Sequence, residues 1–237
     1  MLIFTRMSTV ELTDRNFVCD IQAPCFHSLI DEEVALIQAS KTQVHFRKGD
    51  TLTKQGAFTS YLLFMIDGLA KQYLEADTSK NYNLRIVQPG EFVGLSAVFH
   101  KNTFKYSCTA LTECHAYLIE NEAIINLVKT NALFGYSITK RYCEQNSDLM
   151  DTLQTVLYKQ MNGRLAETLL YLEGLKTTFP AIFQLLSRKD IAEFAGMSTE
   201  STVKLLKAFE KDKLLNLNEK DIQIRNFPSL QEISKKG

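Results

Sequence analysis

Nine side chains in this sequence are of the types that ligate transition metals or carry redox chemistry. They are Cys19, Cys25, Cys108, Cys114 and Cys143, with His27, His45, His100 and His115. Thiolates and imidazoles hold a metal only when several converge, and no Cys-x2-Cys-His haem-attachment motif is present. An odd number of cysteines, spread over the chain with no export signal, points to reduced thiols and not to a disulfide framework. The phosphate-binding G-x-x-x-x-G-K-[ST], the hydrolase G-x-S-x-G, the metalloprotease H-E-x-x-H and the dinucleotide G-x-G-x-x-G are all missing. Carboxylates are plentiful but unpaired, so an enzyme is not expected.

A different chemistry is written into residues 186–215. Ser187 is a good N-cap for the helix RKDIAEFA, and Gly196 sits where a helix must end in a left-handed residue. Ser198 or Thr199 then caps a second helix, ESTVKLLKAFEKDKLL. Apolar Ile191, Ala192, Ala195, Val203, Leu206 and Phe209 form the facing sides of a helix-turn-helix. Outward lie Ser198, Thr199, Glu200, Ser201 and Lys204, short or charged groups suited to the edges of bases in a major groove. Glu200 would be repelled by phosphate but could accept a bond from cytosine N4. Lys204, Lys207, Lys211 and Lys213, with Arg188 and Lys189 on the preceding helix, supply candidate phosphate contacts. The hairpin NLNEKDIQIRN, turning at Asn218 to Asp221, would be a wing. Pattern alone leaves an ordinary helical hairpin with a solvated charged face as the other reading.

These residues need elements to position them. Residues 43–119 read as short β-strands separated by glycine turns, the pattern of an antiparallel barrel or roll. A short acidic-fronted helix, DEEVALIQA, precedes it. From Glu120 to about residue 160 the sequence is helical, with a long piece beginning near Gly135. There Tyr142, Asn146, Leu149, Leu153 and Val156 recur at spacings of 4, 3, 4 and 3, a heptad-like seam for a dimer with Asn146 as a register-setting position. Cys143, Met150 and Leu157 form a second apolar edge. A single wide core-facing stripe is the alternative. Compact helices follow from Gly163, with a hinge expected at 161–163.

Bulk composition fits this plan. The 237 residues are 45% hydrophobic and 23% charged, ordinary for a folded chain long enough for two modest domains. Net charge is zero, but residues 163–237 carry 12 Lys/Arg against 10 Asp/Glu. No apolar run is long enough to span a bilayer, and the N-terminus, with Met1 or Met7 as start, is a poor signal peptide. A cytoplasmic protein without membrane association is expected.

In KGDTLTKQG, SYLLFMIDGLAKQY, PGEFVG, NGRLAETLLYL and SRKDIAEFAGMSTESTVKLLKAFEKDKLL, taken in order, the sequence resembles the Crp/Fnr family of bacterial regulators over nearly its whole length. The resemblance implies an α+β fold with an N-terminal antiparallel β-roll of the cyclic-nucleotide-binding jelly-roll type, a long dimerisation helix and a C-terminal winged helix-turn-helix. The corresponding divisions are 1–30 (N-terminal segment), 31–132 (roll), 133–161 (dimer helix) and 162–237 (winged helix). It further implies a homodimer on roughly palindromic double-stranded DNA, with RNA polymerase a candidate further partner. Glu200 falls at the family's base-reading glutamate, Lys204 and Thr199 where members carry arginine, and Ser187 and Arg188 at phosphate-contacting positions. Lysine lacks the arginine fork, so the half-site should differ from that of the best-known members. A module whose winged helix no longer reads DNA is the alternative.

The effector stays open. Cyclic-nucleotide members use Gly-Glu followed by Arg-Ser or Arg-Thr. Here the first pair reads Gly94-Leu95, the second Lys105-Tyr106, and the adenine-contacting hydroxyl pair of the long helix falls on Leu149 and Met150. Without its bidentate cation a buried phosphate would be poorly held, so cyclic AMP is not expected. A different small ligand, lined by residues such as Phe92, Leu95, Tyr106 and Leu149, is one remaining reading, and a reversible thiol switch another. An iron–sulfur cluster of the family's kind has Cys19 and Cys25 but Asn16 at its first position and Tyr117 at its fourth, with Cys114 nearby. Haem would need one of the scattered histidines as axial ligand.

Overall fold

The computed structural model describes residues 8–9, 25–76 and 80–237. Cys19 and Asn16 lie outside the described residues. The chain divides into two compact units, one of residues 1–74 and 85–146, the other of residues 75–84 and 147–237.

The first unit is an antiparallel β-roll with helices. In chain order it holds β1 (Ser8–Thr9), α1 (Asp31–Ala39), β2 (Lys41–Phe46), β3 (Thr51–Thr53), β4 (Tyr61–Asp67) and β5 (Ala70–Glu75). It continues with the end of β6 (Asn81–Val87, of which residues 81–84 fall in the second unit), β7 (Phe92–Val93), α2 (Leu95–Phe99), β8 (Ser107–Ala110), β9 (Cys114–Glu120), α3 (Asn121–Thr130) and the start of α4 (Ala132–Tyr158). The strands form two sheets, in the orders β1-β2-β9-β4-β7 and β3-β8-β5-β6. The helix read from DEEVALIQA is α1; its N-terminal turn is closed by Glu33, whose carboxylate accepts from the Ile30 amide at 3.1 Å.

Register sorts the side chains of β2 and β9 to two sides. Val44 pairs with Ala116 and Phe46 with Cys114, and all four enter a core between the sheets with Leu63, Met65, Val93 and Cys108. The alternate residues Tyr117 and Ile119 face a second core, shared with Phe26, Phe64, Phe92, Leu95, Leu127 and Phe134. Phe26 lies at its centre, edge-on to Phe64 at 5.1 Å and 5.8 Å from Phe92. Burying an aromatic ring of this size is worth about 1.5–3 kcal/mol by area.

The second unit contains the C-terminal half of α4, then α5 (Met161–Leu175), α6 (Ile182–Leu185), α7 (Arg188–Phe194), α8 (Thr199–Lys211), the hairpin β10 (Leu215–Asn218) and β11 (Asp221–Ile224), and α9 (Phe227–Lys236). Between α4 and α5 the chain turns at Lys159 and Gln160, beside the stretch expected to hinge. Lys159 Nζ donates to Glu167 Oε2 at 2.9 Å and to Ser234 Oγ at 3.2 Å, and the Ser234 hydroxyl donates to the same carboxylate. This node ties the turn to α9.

Two features differ from the sequence reading. The second helix of the helix-turn-helix stops at Lys211, four residues before the run of helix formers ends. Lys213 takes φ +59°, which releases buried Leu214 and Leu215 to begin the wing. Helix α9 was not expected at all. It is started by Asn226, whose side chain accepts from the Ser229 amide at 3.1 Å, followed by Pro228 in the first turn, and it buries Leu230 and Ser234. Asn-Phe-Pro-Ser is a legible helix start. Among the described residues no helix is long and apolar enough to cross a membrane.

Candidate functional site

The helix-turn-helix is assembled by short-range polar contacts. Ser187 Oγ accepts from the Asp190 amide at 3.1 Å, and Asp190 Oδ2 accepts in return from the Ser187 amide at 2.8 Å, a reciprocal capping box. The turn passes through Gly196 at φ +60°, where a side chain would be strained. Ser198 Oγ caps α8 by accepting from the Ser201 amide at 3.1 Å. Ile191, Ala192, Ala195, Leu206 and Phe209 are buried as read from the pattern. Val203 is only half-buried; Thr202 fills the fully buried place, its hydroxyl donating to the Ser198 carbonyl at 3.0 Å. A hydroxyl that satisfies itself within its own helix can be buried like a valine, which polarity patterning misses.

With that face committed to the core, the opposite face of α8 is open. Ser198, Thr199, Glu200, Lys204 and Lys207 are exposed and Ser201 half-exposed. Glu200 and Lys204 are joined one turn apart, Nζ to Oε1 at 2.7 Å. Lys189 is exposed on α7 and lies 3.7 Å from Glu193, itself almost buried. Arg188 differs from these cations. Its guanidinium Nη2 donates to the Glu219 carbonyl at 2.7 Å and Nη1 reaches the Lys220 carbonyl at 3.5 Å, both in the wing turn. Burial lowers its pKa from the ordinary value, with Asp221 pulling the other way. Lys220, exposed at the wing tip, was not singled out from sequence. Only the folding of the hairpin against α7 brings it beside Arg188.

In the roll, Gly94 and Tyr106 are brought together. Gly94 has φ +95°, and its amide donates to the Tyr106 hydroxyl at 2.7 Å. A Cβ at Gly94 would stand 2.5 Å from the Phe104 ring. Burial pushes the Tyr106 phenol up to about 12, opposed by its bond from Gly94 and by Arg85. Arg85 is held by Glu91, Nη1 lying 2.7 Å from both carboxylate oxygens, and its Nε donates to Gln72 at 3.1 Å. Phe92 and Leu95 belong to the aromatic core, Tyr106 packs against the core between the sheets, and Lys105 is exposed. Leu149 and Met150 lie in the second unit, both exposed.

The thiols fall into two separate cores. Cys25 is buried in the aromatic core, whereas Cys108 and Cys114 are buried between the sheets. Burial raises all three thiols above the ordinary range. Cys25 and Cys114 therefore face different cores and do not converge on one cluster. His45 and His115 are cross-strand neighbours with stacked rings 4.8 Å apart. Among the described residues no group of three or more His, Cys, Asp or Glu is placed to hold a metal ion.

Along α4, Tyr142, Leu149 and Leu153 of the seam are 50%, 40% and 44% exposed, and Met150 and Leu157 of the second edge 50% and 68%. Within one chain this apolar face is uncovered.

Comparison with known proteins agrees with both units. The cyclic nucleotide-binding domain matches residues 43–131, and the Crp-like helix-turn-helix domain matches residues 163–233. The cyclic AMP receptor protein of Thermus thermophilus is 21% identical over 212 residues, 90% of this chain and 97% of that protein. A CRP-like cAMP-activated global transcriptional regulator of Mycobacterium tuberculosis is 22% identical over 218 residues, covering 88% and 95%. Among solved structures, a Crp/Fnr-family regulator from Eubacterium rectale superposes with TM-score 0.74 at 18% identity, over 90% of this chain and 98% of that one. FixK2 from Bradyrhizobium japonicum gives 0.71 at 16% identity, over 81% and 96%.

Proposed function

We propose that this chain, which belongs to the Crp/Fnr family of transcription regulators, is a cytoplasmic homodimer that reads a roughly palindromic DNA site under the control of a signal received by its β-roll. The observation that carries this reading is the open face of α8. Ser198, Thr199, Glu200, Ser201, Lys204 and Lys207 line it, while Thr202, Leu206 and Phe209 fix the other side in the core. In this reading Glu200 contacts a base edge. Lys189 and Lys207 neutralise phosphates, Ser187 turns its hydroxyl from Asp190 Oδ2, which it reaches at 2.6 Å, to donate to one, and Lys204 divides its charge between Glu200 and the DNA. The α4 seam covers itself with a second copy, with Asn146 setting the register. RNA polymerase is a further partner of the DNA-bound dimer.

The signal acts by binding one arrangement of the dimer more tightly than the other. Its class is a small ligand other than cyclic AMP. The place of the nucleotide's phosphate partner is taken by Lys105 and Tyr106, and the Gly94 amide already has the Tyr106 hydroxyl as its acceptor. The test is selection of bound sequences from a random DNA library by protein purified without oxygen, with an absorption spectrum of the same sample. A palindromic motif with a colourless protein supports the reading. The same motif with a coloured protein replaces the small ligand by haem or a cluster. No enriched motif under any added effector moves the assignment to a module that does not read DNA.

A further inference from the structure

The wing is a two-stranded hairpin, which is at best marginally stable alone and must be fixed by its neighbours. Two side chains from the helix-turn-helix do this. Glu210 Oε1 on α8 accepts from the Leu217 amide at 2.8 Å, near the middle of β10. At the other end, Arg188 on α7 donates to the Glu219 carbonyl and reaches that of Lys220 in the turn itself. That turn includes Glu219 at φ +50°, a conformation uncommon outside glycine and asparagine and held only by its surroundings. Those two carbonyls lie outside the β10–β11 ladder, whose last pair is Asn218 with Asp221. A planar guanidinium offers two nitrogens in a fixed fork to two adjacent carbonyls, a geometry that the single nitrogen of an ammonium lacks.

We propose that Arg188 is a positioning residue. It holds the wing turn, and its contribution to DNA affinity is delivered through the wing-tip Lys220 and not through a phosphate contact of its own. The inference rests on the DNA-binding reading above. The alternative, an independent phosphate contact, makes a different quantitative demand. Each phosphate neutralised adds about 0.9 to the slope of log affinity against log salt, and independent contacts add.

The experiment uses the full chain and a random-sequence duplex over a series of salt concentrations. It compares the wild type with Arg188→Ala, Lys220→Ala, the double variant and Arg188→Lys. Amide exchange of residues 216–224 is followed in the same proteins without DNA. Arg188→Ala is expected to speed wing exchange and weaken binding about threefold to tenfold. The double variant should be no weaker, and no flatter in salt slope, than Lys220→Ala. Arg188→Lys keeps the charge but not the fork, so its wing should exchange nearly as fast as in Arg188→Ala. The inference is overturned by unchanged wing exchange in Arg188→Ala. It is equally overturned by a double variant whose slope falls by the sum of the two single losses. A wild type that binds no DNA at low salt defeats the DNA-binding reading and takes this role for Arg188 with it. Fast wing exchange in Arg188→Ala, with wild-type binding intact, cannot be confused with that outcome.

Discussion

Glu200 and Tyr106 show how single side chains divide the work between reading and folding. Glu200 is exposed, and its carboxylate does no more for the fold than pair with Lys204 one turn on and face the N-terminal end of α8, contributions worth a few tenths of a kcal/mol at the surface. Glu200→Ala should change thermal stability little and relax preference at one position per half-site, by about 1–3 kcal/mol. Equal loss of affinity on every base variant would rule out base reading. Tyr106 is the opposite case. Tyr106→Phe strands the buried Gly94 amide and should cost about 1–3 kcal/mol in thermal or urea unfolding. The same residue gives a pH signature. Its phenol is raised from 10.0 to about 12 in the folded chain, so the associated stability is complete below pH 10 and is lost as pH rises towards 12. Tyr106→Phe should remove that part of the alkaline destabilisation. An identical alkaline profile in both proteins would contradict the burial.

At the scale of elements, two helices carry exposed tasks that the roll does not. The α4 seam has three large apolar side chains in water within one chain. Leu149→Glu should convert a dimer to a monomer in sedimentation, and an unchanged dimer mass would exclude this seam. Helix α9 is tied to the α4–α5 turn through Glu167. Burial opposes ionisation of Glu167, but the Ser234 hydroxyl and the Lys159 ammonium outweigh it, and the pKa lies below 4.5. A lowered carboxylate pKa gives stability that is present above the ordinary value and fades as pH falls through the folded one. Glu167→Gln should therefore weaken the α9 attachment at neutral pH, seen as faster amide exchange in 227–236, and narrow the difference from wild type in acid. Unchanged exchange would mean that apolar packing of Leu230 alone seats the helix.

For the whole molecule, the legible parts were those with a period or a punctuation mark. Helix α1, the caps Ser187 and Ser198 and the turn at Gly196 fall where acidic first turns, capping side chains and glycine place them. What escaped depends on partners distant in sequence. Arg188 is engaged by a hairpin about thirty residues away, and which core Cys108 and Cys114 enter follows from strand register. No local signal encodes these. The division into compact units also falls within α4, between Asn146 and Ser147, a place where neither composition nor a breaker residue changes. A joint prediction follows at this scale. If the seam and α8 belong to one mechanism, Leu149→Glu should reduce affinity for a full palindrome far more than for a single half-site. Equal losses on both would uncouple dimerisation from recognition.

The burial of Cys25, Cys108 and Cys114 has a practical side, since among the described residues it leaves Cys143 as the exposed thiol. Cys143 lies on α4, next to Tyr142 of the seam. An alkylating reagent such as iodoacetamide thus becomes a footprint of self-association. Its rate at Cys143, followed by mass spectrometry as protein concentration is raised, reports the covering of the helix without altering a single residue.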